Sequence, residues 1–430
     1  MRCFPSAPAY SGALSAETQR YPIRMQRYQA WIPAFAGMTS FRPNAHISSN
    51  PMQKLKTGIV GTGKVGHIHA AALMELPESE FTAVCNVNFK GAQAFAEQYQ
   101  VKAYADVEEM VAGGVQAVTI CTPHPLHAEP TIKAAKAGAH VIVEKPLASS
   151  LADCDAMIQA ATDGGVKLAM ISQRRLYAPV QRIKKAIEDG KLGRPILGTV
   201  NMLGWRDLAY YQSNAWRGTW MGEGGGVLVN QAPHQLDILQ WFMGPIDQLF
   251  GCWANLNHPY IEVEDTAAAI IRFKNGALGN ILVSNSQNPA LYGKVAVHGS
   301  NGASVGVQTD GGAMFIAGMS GIAEPPINDF WKIQGEEGLL EHWQEEDSAL
   351  FHRIDATRYY HQLQIQDFLR AVLEGRDPMM TGEEGRNTVE LFTAIYRSQR
   401  DNQVIQFPLV PEIGKNDLDG RLTRTRLAGH

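Results

Sequence analysis

Apolar residues follow two different patterns along this chain. Between Leu55 and about Arg175, short apolar runs of strand length alternate with stretches that have helical periodicity. Strands are predicted for LKTGIV, FTAVCN, AVTIC, HVIVE and KLAMI, and helices for AFAEQY, EPTIKAAKAG and LADCDAMIQAATDGG. Several of the helical stretches end in glycine, as helix C-termini often do. Alternating β and α elements predict an α/β fold that begins with a Rossmann-type parallel sheet over residues 53–175.

After Pro195 the apolar runs become longer and alternate with polar residues. The runs are ILGTVNMLGW, QLFGCWANL, DTAAAIIRF, ALGNILVSNS and YGKVAVHGS, and turn sequences such as Lys274-Asn275-Gly276 and Ser300-Asn301-Gly302 connect some of them. This pattern is typical of a large open, mainly antiparallel sheet. We therefore predict a second α/β domain over residues 176–410, followed by a tail over residues 411–430.

Three amphipathic stretches in the second region predict helices. One extends from about Gly226 to Met243, and two more, near Tyr359–Glu374 and Glu383–Asn402, close the domain.

Residues 1–52 show neither periodicity. The stretch is rich in Pro, Ser, Ala and Gly, and it lacks the compact apolar run of a secretory signal and a twin arginine. We expect an extension outside the folded domains. It could be a leader of the transit type or the product of a start assigned too early, with Met52 as the natural start.

Composition narrows the class of protein. A chain of 430 residues with 45% apolar and 19% charged residues is long enough for two globular cores. The net charge of -4, without a lysine or arginine block, indicates no nucleic-acid partner, and no apolar run predicts a membrane helix. The five cysteines form no CxxC pair, which favours a reducing compartment. We expect a cytoplasmic protein with a small-molecule partner.

A glycine-rich motif follows the first predicted strand directly. Gly61-Thr62-Gly63-Lys64-Val65-Gly66 matches GxGxxG and opens a predicted helix. In this context Gly61 permits a tight turn, Gly63 lets a pyrophosphate approach the backbone, and Gly66 lets helix and strand pack closely. The motif alone is weak, but its position at the start of a βαβ series predicts dinucleotide binding.

The second predicted strand ends at Asn86, where an Asp or Glu usually binds the adenosine ribose of NAD. Asn86 can hydrogen-bond a ribose hydroxyl but does not repel a 2′-phosphate, and Lys90 is close enough in sequence to contact such a phosphate. The sequence favours NAD and leaves NADP open.

A candidate acid/base follows the fifth strand, in Glu144-Lys145-Pro146. Ligands bind at the carboxyl ends of strands in open α/β sheets, and a lysine there can exchange protons if its pKa is lowered. The alternative for Lys145 is a solvated lysine in a loop.

Other polar side chains are candidates for the substrate side. Asn230, His234 and Asp237 are spaced to share one face of a largely apolar helix, which is costly unless they are paired or functional. The alternative is a hydrogen-bond network in the core, and Asp237 could simply hold His234 in one tautomer. Arg174 and Arg175 follow the sixth strand, where they could approach the substrate, remain solvated or lie in an interface, and Arg174 is the candidate substrate contact.

Two histidine pairs raise the question of a metal. His67 and His69, and His124 and His127, are close in sequence, but no cysteine or carboxylate cluster accompanies them. We predict no metal site.

Taken in order, the motifs resemble the glucose–fructose oxidoreductase / inositol dehydrogenase (Gfo/Idh/MocA) family. The resemblance extends over roughly Lys54 to Pro408, and the ordered combination is more specific than any single motif. It rests on GTGKVG, CTPHPLH at 121–127, EKP at 144–146, Trp216-Arg217, GGGVLVNQAPHQLD at 224–237 and GRDP at 375–378.

The resemblance implies roles for individual residues. Lys145 would be the acid/base or substrate-orienting group, and His234 the catalytic histidine. Asn230 occupies a position often held by Asp in the family, which argues against a strict proton relay there. A cofactor-contacting set is implied for Thr122, Pro123, His124, His127, Glu144, Lys145, Trp216 and Arg217.

The family resemblance implies an NAD(P)-dependent oxidoreductase that moves a hydride to or from a carbinol carbon of a sugar, sugar derivative or cyclitol. It also implies a homodimer or homotetramer, because open sheets in this family commonly pack face to face. Alternatives are a glycoside-processing enzyme that oxidises and eliminates, a dihydrodiol dehydrogenase, and a nucleotide-sensing regulator without catalysis. Retention of both Lys145 and His234 argues against the regulator.

Overall fold

Six parallel strands form the first sheet of the computed structural model, which describes residues 53–313, 322–413 and 418–423. The strand order is β3-β2-β1-β4-β5-β6, as in a Rossmann fold, so the predicted parallel sheet is confirmed. The strands are β1 Leu55–Val60, β2 Ser79–Cys85, β3 Lys102–Tyr104, β4 Ala117–Ile120, β5 His140–Val143 and β6 Leu168–Met170.

Helices follow the strands of this sheet in alternation. Side chains of Asn88, Asp106 and Ser150 accept backbone N–H groups at the starts of α2, α3 and α5, which explains where these helices begin. The helices are α1 Lys64–Glu75, α2 Phe89–Tyr99, α3 Val107–Ala112, α4 Ala128–Lys136, α5 Leu151–Asp163 and α6 Ala178–Glu188. Because the strands are parallel, the residues after β1, β4 and β5 all meet at one edge of the sheet.

The second sheet has eight strands in the order β13-β12-β11-β7-β10-β9-β8-β14. Neighbouring strands are antiparallel except β7 and β10, which confirms the mainly antiparallel prediction. One face packs on helices and the other exposes every second residue of β9 and β10. The strands are β7 Pro195–Leu203, β8 Ile246–Ala254, β9 Thr266–Phe273, β10 Leu278–Ser284, β11 Tyr292–Gly299, β12 Ser304–Gly311, β13 Ile327–Lys332 and β14 Ile405–Gln406.

The helix predicted from Gly226 to Met243 is interrupted, so that prediction was wrong in its continuity. Two short helices, α7 Leu208–Gln212 and α8 Trp220–Glu223, precede it. The predicted helix itself divides into α9 Val227–Asn230 and α10 Pro233–Met243. Pro233 lacks an N–H and is suited to the first turn of α10 rather than to a helix interior. Asn230 and His234 therefore lie on separate segments.

The C-terminal helices return to the first sheet. The chain forms α11 Leu339–Phe351, which the pattern did not predict, and then α12 Ala356–Glu374 and α13 Gly382–Asp401, which match the predicted pair within a few residues. Helix α12 packs on α1, and α13 packs on both β8 and α5. The C-terminal helices thereby bring side chains to the first sheet from far along the sequence.

None of the helices in the part of the chain that the structure describes is long and apolar enough to cross a membrane. The extension predicted for residues 1–52 lies outside the described residues.

Candidate active site

A cavity of about 580 Å³ lies at the edge where β1, β4 and β5 end, facing α9 and α10. The cavity brings together most of the residues that the sequence indicated. From that set it is lined by Gly61, Gly63, Lys64, Val65, Asn86, Thr122, Pro123, His124, His127, Glu144, Lys145, Arg174, Trp216, Arg217, Asn230 and His234. Gly66 packs behind the glycine loop, and Asp237 lies elsewhere.

The glycine loop at one end of the cavity has the geometry of a dinucleotide cradle. Gly61 has a φ of +103°, and a Cβ there would lie 2.7 Å from the carbonyl oxygen of Cys121. A Cβ on Gly66 would lie 2.4 Å from the carbonyl oxygen of Gly61. Gly63 is the N-cap residue of helix α1 and has no side chain that could accept a hydrogen bond. The N–H groups of the first turn of α1 therefore remain available to phosphate oxygens. These residues fit the pyrophosphate of NAD.

Asn86 lies where the adenosine ribose is expected. Its side-chain Nδ2 donates to the Thr62 hydroxyl at 2.5 Å, and its Oδ1 accepts the backbone N–H of Asn88 at 3.0 Å. Lys90 is exposed in the first turn of α2. A neutral amide thus occupies this part of the wall.

Asn86→Asp is expected to lower the affinity for NADPH relative to NADH by at least about tenfold, because a carboxylate repels the 2′-phosphate and binds free ribose hydroxyls. The dissociation constants of both cofactors, titrated by fluorescence, measure this ratio. Asn88→Asp is the matched control, since it adds the same charge at an exposed helix cap nearby. An equal change in both variants would show that Asn86 does not line the ribose site.

Lys145 stands between the glycine loop and the second domain's wall of the cavity. Its Nζ donates to the backbone carbonyl of Asn230 at 2.9 Å. The pKa of the Lys145 amine falls to about 8, first because of burial. Attraction by Glu144 opposes this shift, and repulsion by Arg174 and Arg217 adds to it. A lysine with this pKa can give or take a proton near neutral pH.

Glu144 is held by two histidines from different parts of the chain. Its Oε1 lies 2.9 Å from Nε2 of His69 in α1 and 3.5 Å from Nε2 of His361 in α12, and its Oε2 accepts the backbone N–H of Lys145 at 3.2 Å. Burial alone would raise the Glu144 pKa, but the two histidines outweigh burial and hold it well below its usual range. Glu144 therefore stays ionised beside Lys145.

A carboxylate does accompany one of the histidines that the sequence offered as metal ligands, contrary to the sequence-based expectation. His69, Glu144 and His361 place one ligand atom each within 4.8 Å of one another, a spacing that a metal ion could bridge. Sequence reasoning paired His69 with His67 and found no carboxylate near them. His361 could not be associated with them by spacing, because only the packing of α12 on α1 brings it there.

The loop after β4 carries two further histidines. The ring nitrogens of His127 lie 2.9 Å from the carbonyl oxygens of Pro146 and Thr122, so this ring joins two loops of the site. The His124 ring lies 5.5 Å from that of Trp216. Burial, followed by Lys145, lowers the His124 pKa well below its usual range, which keeps this ring neutral.

His234 and Asn230 form part of the opposite wall. His234 is 6% exposed, and burial, Arg174 and Lys145 lower its pKa well below the usual range, so its imidazole is neutral. The Asn230 side-chain Nδ2 donates to the carboxylate of Glu223 and, at 3.0 Å, to the hydroxyl of Tyr210.

Asp237 lies away from the large cavity, contrary to the expectation that it shares a substrate-facing surface with His234. Its carboxylate accepts hydrogen bonds from Arg175 Nε at 2.8 Å, Arg175 Nη2 at 2.6 Å and the Ser172 hydroxyl at 2.5 Å. Asp237 and Arg175 line a separate cavity of about 300 Å³. The buried Arg175 needs a counter-charge, and Asp237 supplies it.

Arg174 lines the large cavity, whereas its neighbour Arg175 lines the smaller one. It forms a buried ion pair with Asp310 of β12, whose carboxylate also accepts from the Gln235 side chain at 2.5 Å. Arg174, the predicted substrate contact of the two arginines, is thus the one that faces this cavity.

Several residues of the cavity wall were not indicated by the sequence, among them Arg206, Tyr210 and Gln231. Gln231 stands next to Asn230 in the GGGVLVNQAPHQLD segment, which was a usable signal. Arg206 and Tyr210 lie in a region without periodicity.

A Rossmann sheet, a glycine cradle and a lysine at the strand ends define the class of an NAD-binding oxidoreductase. The model of the oxidoreductase family with an NAD-binding Rossmann fold matches residues 55–172, and the GFO/IDH/MocA C-terminal domain matches residues 180–305. The chain belongs to the Gfo/Idh/MocA family.

Relatives cover nearly the whole of this fold. A structure of the WlbA dehydrogenase from Bordetella pertussis, in complex with NADH and UDP-GlcNAcA, is 30% identical, covers 83% of this chain and 99% of that one, and superposes with a TM-score of 0.73. Myo-inositol 2-dehydrogenase of Thermotoga maritima is 27% identical over 82% of this chain and 98% of its own length. The scyllo-inositol 2-dehydrogenase (NAD(+)) of Bacillus subtilis is 24% identical over 82% and 96%. The protein is an NAD-dependent oxidoreductase of the class that acts on CH–OH groups.

Proposed function

We propose that the substrate is a sugar, a sugar derivative or a cyclitol, and that Lys145 exchanges the proton of its reacting hydroxyl. The observation that carries this proposal is the partly buried Lys145 amine with a pKa of about 8, placed between the dinucleotide cradle and a polar wall. The inositol dehydrogenases named above support the substrate class. Because their names give cyclitol substrates and dehydrogenation, they favour this function over the eliminating, dihydrodiol and regulatory alternatives.

The chain's own residues position the substrate and move its proton. NAD, when bound along Gly61–Gly66, supplies the nicotinamide carbon that exchanges the hydride. In its neutral form Lys145 takes the hydroxyl proton, while the Asn230 carbonyl holds the amine in place. His234, neutral in its buried site, can share that proton or bind a second hydroxyl. The Asn230 amide can orient a hydroxyl but cannot take its proton.

A panel of sugars and cyclitols, followed at 340 nm with NAD and NADP, tests this function. We expect reduction of NAD by at least one polyol of the panel. Absence of any absorbance change across the panel, with protein that binds NADH, would contradict the proposed substrate class.

The rate of oxidation is expected to rise with pH through about 8 and then level off, since the neutral amine of Lys145 accepts the proton. The reverse reaction needs the ammonium form, so its rate should fall through the same pKa. Profiles of kcat/KM in both directions measure this. A midpoint at about 6 or lower would assign the proton transfer to a histidine instead.

We also propose a homodimer or homotetramer built through the open face of the second sheet. Phe250 and Ile270 are exposed and directly opposite each other on β8 and β9, as are Leu197 and Leu278 on β7 and β10. Contiguous apolar patches on a surface indicate interfaces. Leu282 of β10 extends the same face.

Light scattering is expected to give at least twice the chain mass, and Ile270→Glu should shift the protein toward monomer, because the buried charge would be unpaired. Met74→Glu, at an exposed apolar residue of α1, is the control and should leave the mass unchanged. A monomeric wild type at micromolar concentration would rule out this interface.

The domain division is likewise a proposal: residues 53–175 bind the dinucleotide, residues 176–410 bind substrate and form the interface, and residues 411–430 are a tail. Residues 52–430 nonetheless form one compact unit, because the C-terminal helices pack on both sheets. We also propose a cytoplasmic location, supported by the free thiols of Cys85, Cys121, Cys154 and Cys252.

A further inference from the structure

Three hydrogen-bond donors point to the hydroxyl of Tyr210, more than its two lone pairs can accept. Arg217 Nη1 donates to it, and so do Asn230 Nδ2 at 3.0 Å and Gln231 Nε2 at 2.9 Å. The Arg206 guanidinium lies over the same ring, 5.1 Å from its centroid. A phenol oxygen has two lone pairs, so these donors exceed its capacity. Hydrogen-bond donors therefore outnumber acceptors around this hydroxyl, although the Glu223 carboxylate also accepts from the Asn230 amide.

The charged residues that line the cavity are mostly cationic. Among the described residues that line it, five are cationic and one, Glu144, is a carboxylate. Glu144 is already held by His69 and His361. The cationic residues are Lys64, Lys145, Arg174, Arg206 and Arg217.

These cations divide between the two ends of the cavity. Lys64 opens α1 beside the glycine loop, where the pyrophosphate of NAD fits. At the other end, Asp310 neutralises Arg174, and Glu223 lies against Asn230. Arg206 and Arg217 both adjoin Tyr210. Two guanidinium groups therefore adjoin this tyrosine, and the Glu223 carboxylate close to Arg217 balances only part of their charge.

We propose that the substrate carries an anionic oxygen group, a carboxylate or a phosphate, which binds at the Tyr210 cluster formed by Arg206, Tyr210, Arg217, Asn230 and Gln231. This inference rests on the proposed function and names its substrate class more closely. An anionic group supplies further acceptors for the three donors that share the Tyr210 hydroxyl, and charge-assisted hydrogen bonds are the stronger kind. Because Lys145 Nζ binds the Asn230 carbonyl, the anionic group and the reacting hydroxyl would be neighbours.

Matched substrates test the proposal on the wild-type protein. Neutral hexoses, the corresponding hexuronates and the hexose 6-phosphates are compared by kcat/KM with NAD. We expect one anionic class to exceed the neutral sugars by about 100-fold, since two charge-assisted hydrogen bonds are each worth roughly tenfold or more. A preference for hexuronates identifies a carboxylate as the source and a preference for phosphates identifies a phosphate, and either supports the proposal.

Gln231→Glu tests the position of the anionic site. It replaces a donor of the cluster by a carboxylate of the same shape, and we expect the preference for the anionic class to fall at least about tenfold. Asn214→Asp is the matched control, because it adds the same charge at an exposed residue of the cavity edge outside the cluster. We expect it to change the preference by less than about threefold, since exposed charges are well screened. Thermal melting confirms that both variants fold, and the wild-type comparison stands without them.

Three results would contradict the proposal. Equal or better turnover of the neutral sugars would overturn it and leave the proposed function intact. A loss of NADH affinity in Gln231→Glu as large as the loss for the anionic sugar would make the cluster a cofactor phosphate site instead. Turnover of neither class, by protein that binds NADH, would contradict the proposed function and this proposal with it.

Discussion

Lys145→Ala is expected to lower kcat by a factor of about 10²–10⁴, the usual contribution of a positioned acid/base. The affinity for NADH should change far less, because the dinucleotide cradle from Gly61 to Gly66 is untouched. Burial lowers the pKa of the Lys145 amine to about 8, which suits it to proton exchange near neutral pH. Steady-state kinetics on the best panel substrate and a separate fluorescence titration of NADH distinguish these two effects.

Two further variants show what part of the loss is chemical. Lys145→Arg keeps the positive charge but cannot release a proton near neutral pH, so it should be nearly as impaired as Lys145→Ala. If His234 shares the same proton, His234→Ala should also lower kcat, and the double variant should resemble the worse single one. Near wild-type kcat in Lys145→Ala would contradict the proposed mechanism, but not the fold or the family assignment.

Asp237→Ala is expected to destabilise the protein by about 3–5 kcal/mol, since it leaves the buried Arg175 without its main counter-charge. Glu384, which also contacts Arg175, is more exposed and can compensate only in part. Urea unfolding measures the loss. Ser172→Ala, which removes only one hydrogen bond to the same carboxylate, is the control and should cost about 1 kcal/mol.

Asp237→Ala also distinguishes the structural role of Asp237 from the substrate contact that the sequence suggested. With a structural role, the protein that remains folded should retain its KM at low temperature. A stable Asp237→Ala protein with a strongly raised KM would instead restore the substrate contact.

Local patterns were sufficient to predict much of this molecule. The central strands β4 and β5 of the first sheet are buried on both faces and appear as short apolar runs, and the glycine loop is constrained by its immediate neighbours. Lys145 could be placed because a residue that directly follows a strand must lie at the sheet edge. The cavity from Gly61 to Lys145 was therefore predictable.

The parts that were not predicted depend on contacts between distant elements. His361 reaches Glu144 only because α12 packs on α1, and Arg206 and Tyr210 join the wall from a region without periodicity. Helical spacing placed Asp237 with His234, but it could not show that Arg175 would occupy its carboxylate. The break at Pro233 was visible in the sequence and was outweighed there by the apolar pattern on either side of it.

Hydride transfer is tested most directly with a substrate deuterated at the carbinol carbon. The best panel substrate is incubated with the protein and NAD, and the reduced cofactor is examined by mass spectrometry and NMR. Direct hydride transfer predicts one deuterium at the nicotinamide C4 of NADH and none in the solvent. Deuterium released to the solvent, with NADH that carries none, would contradict direct transfer between a CH–OH carbon and NAD.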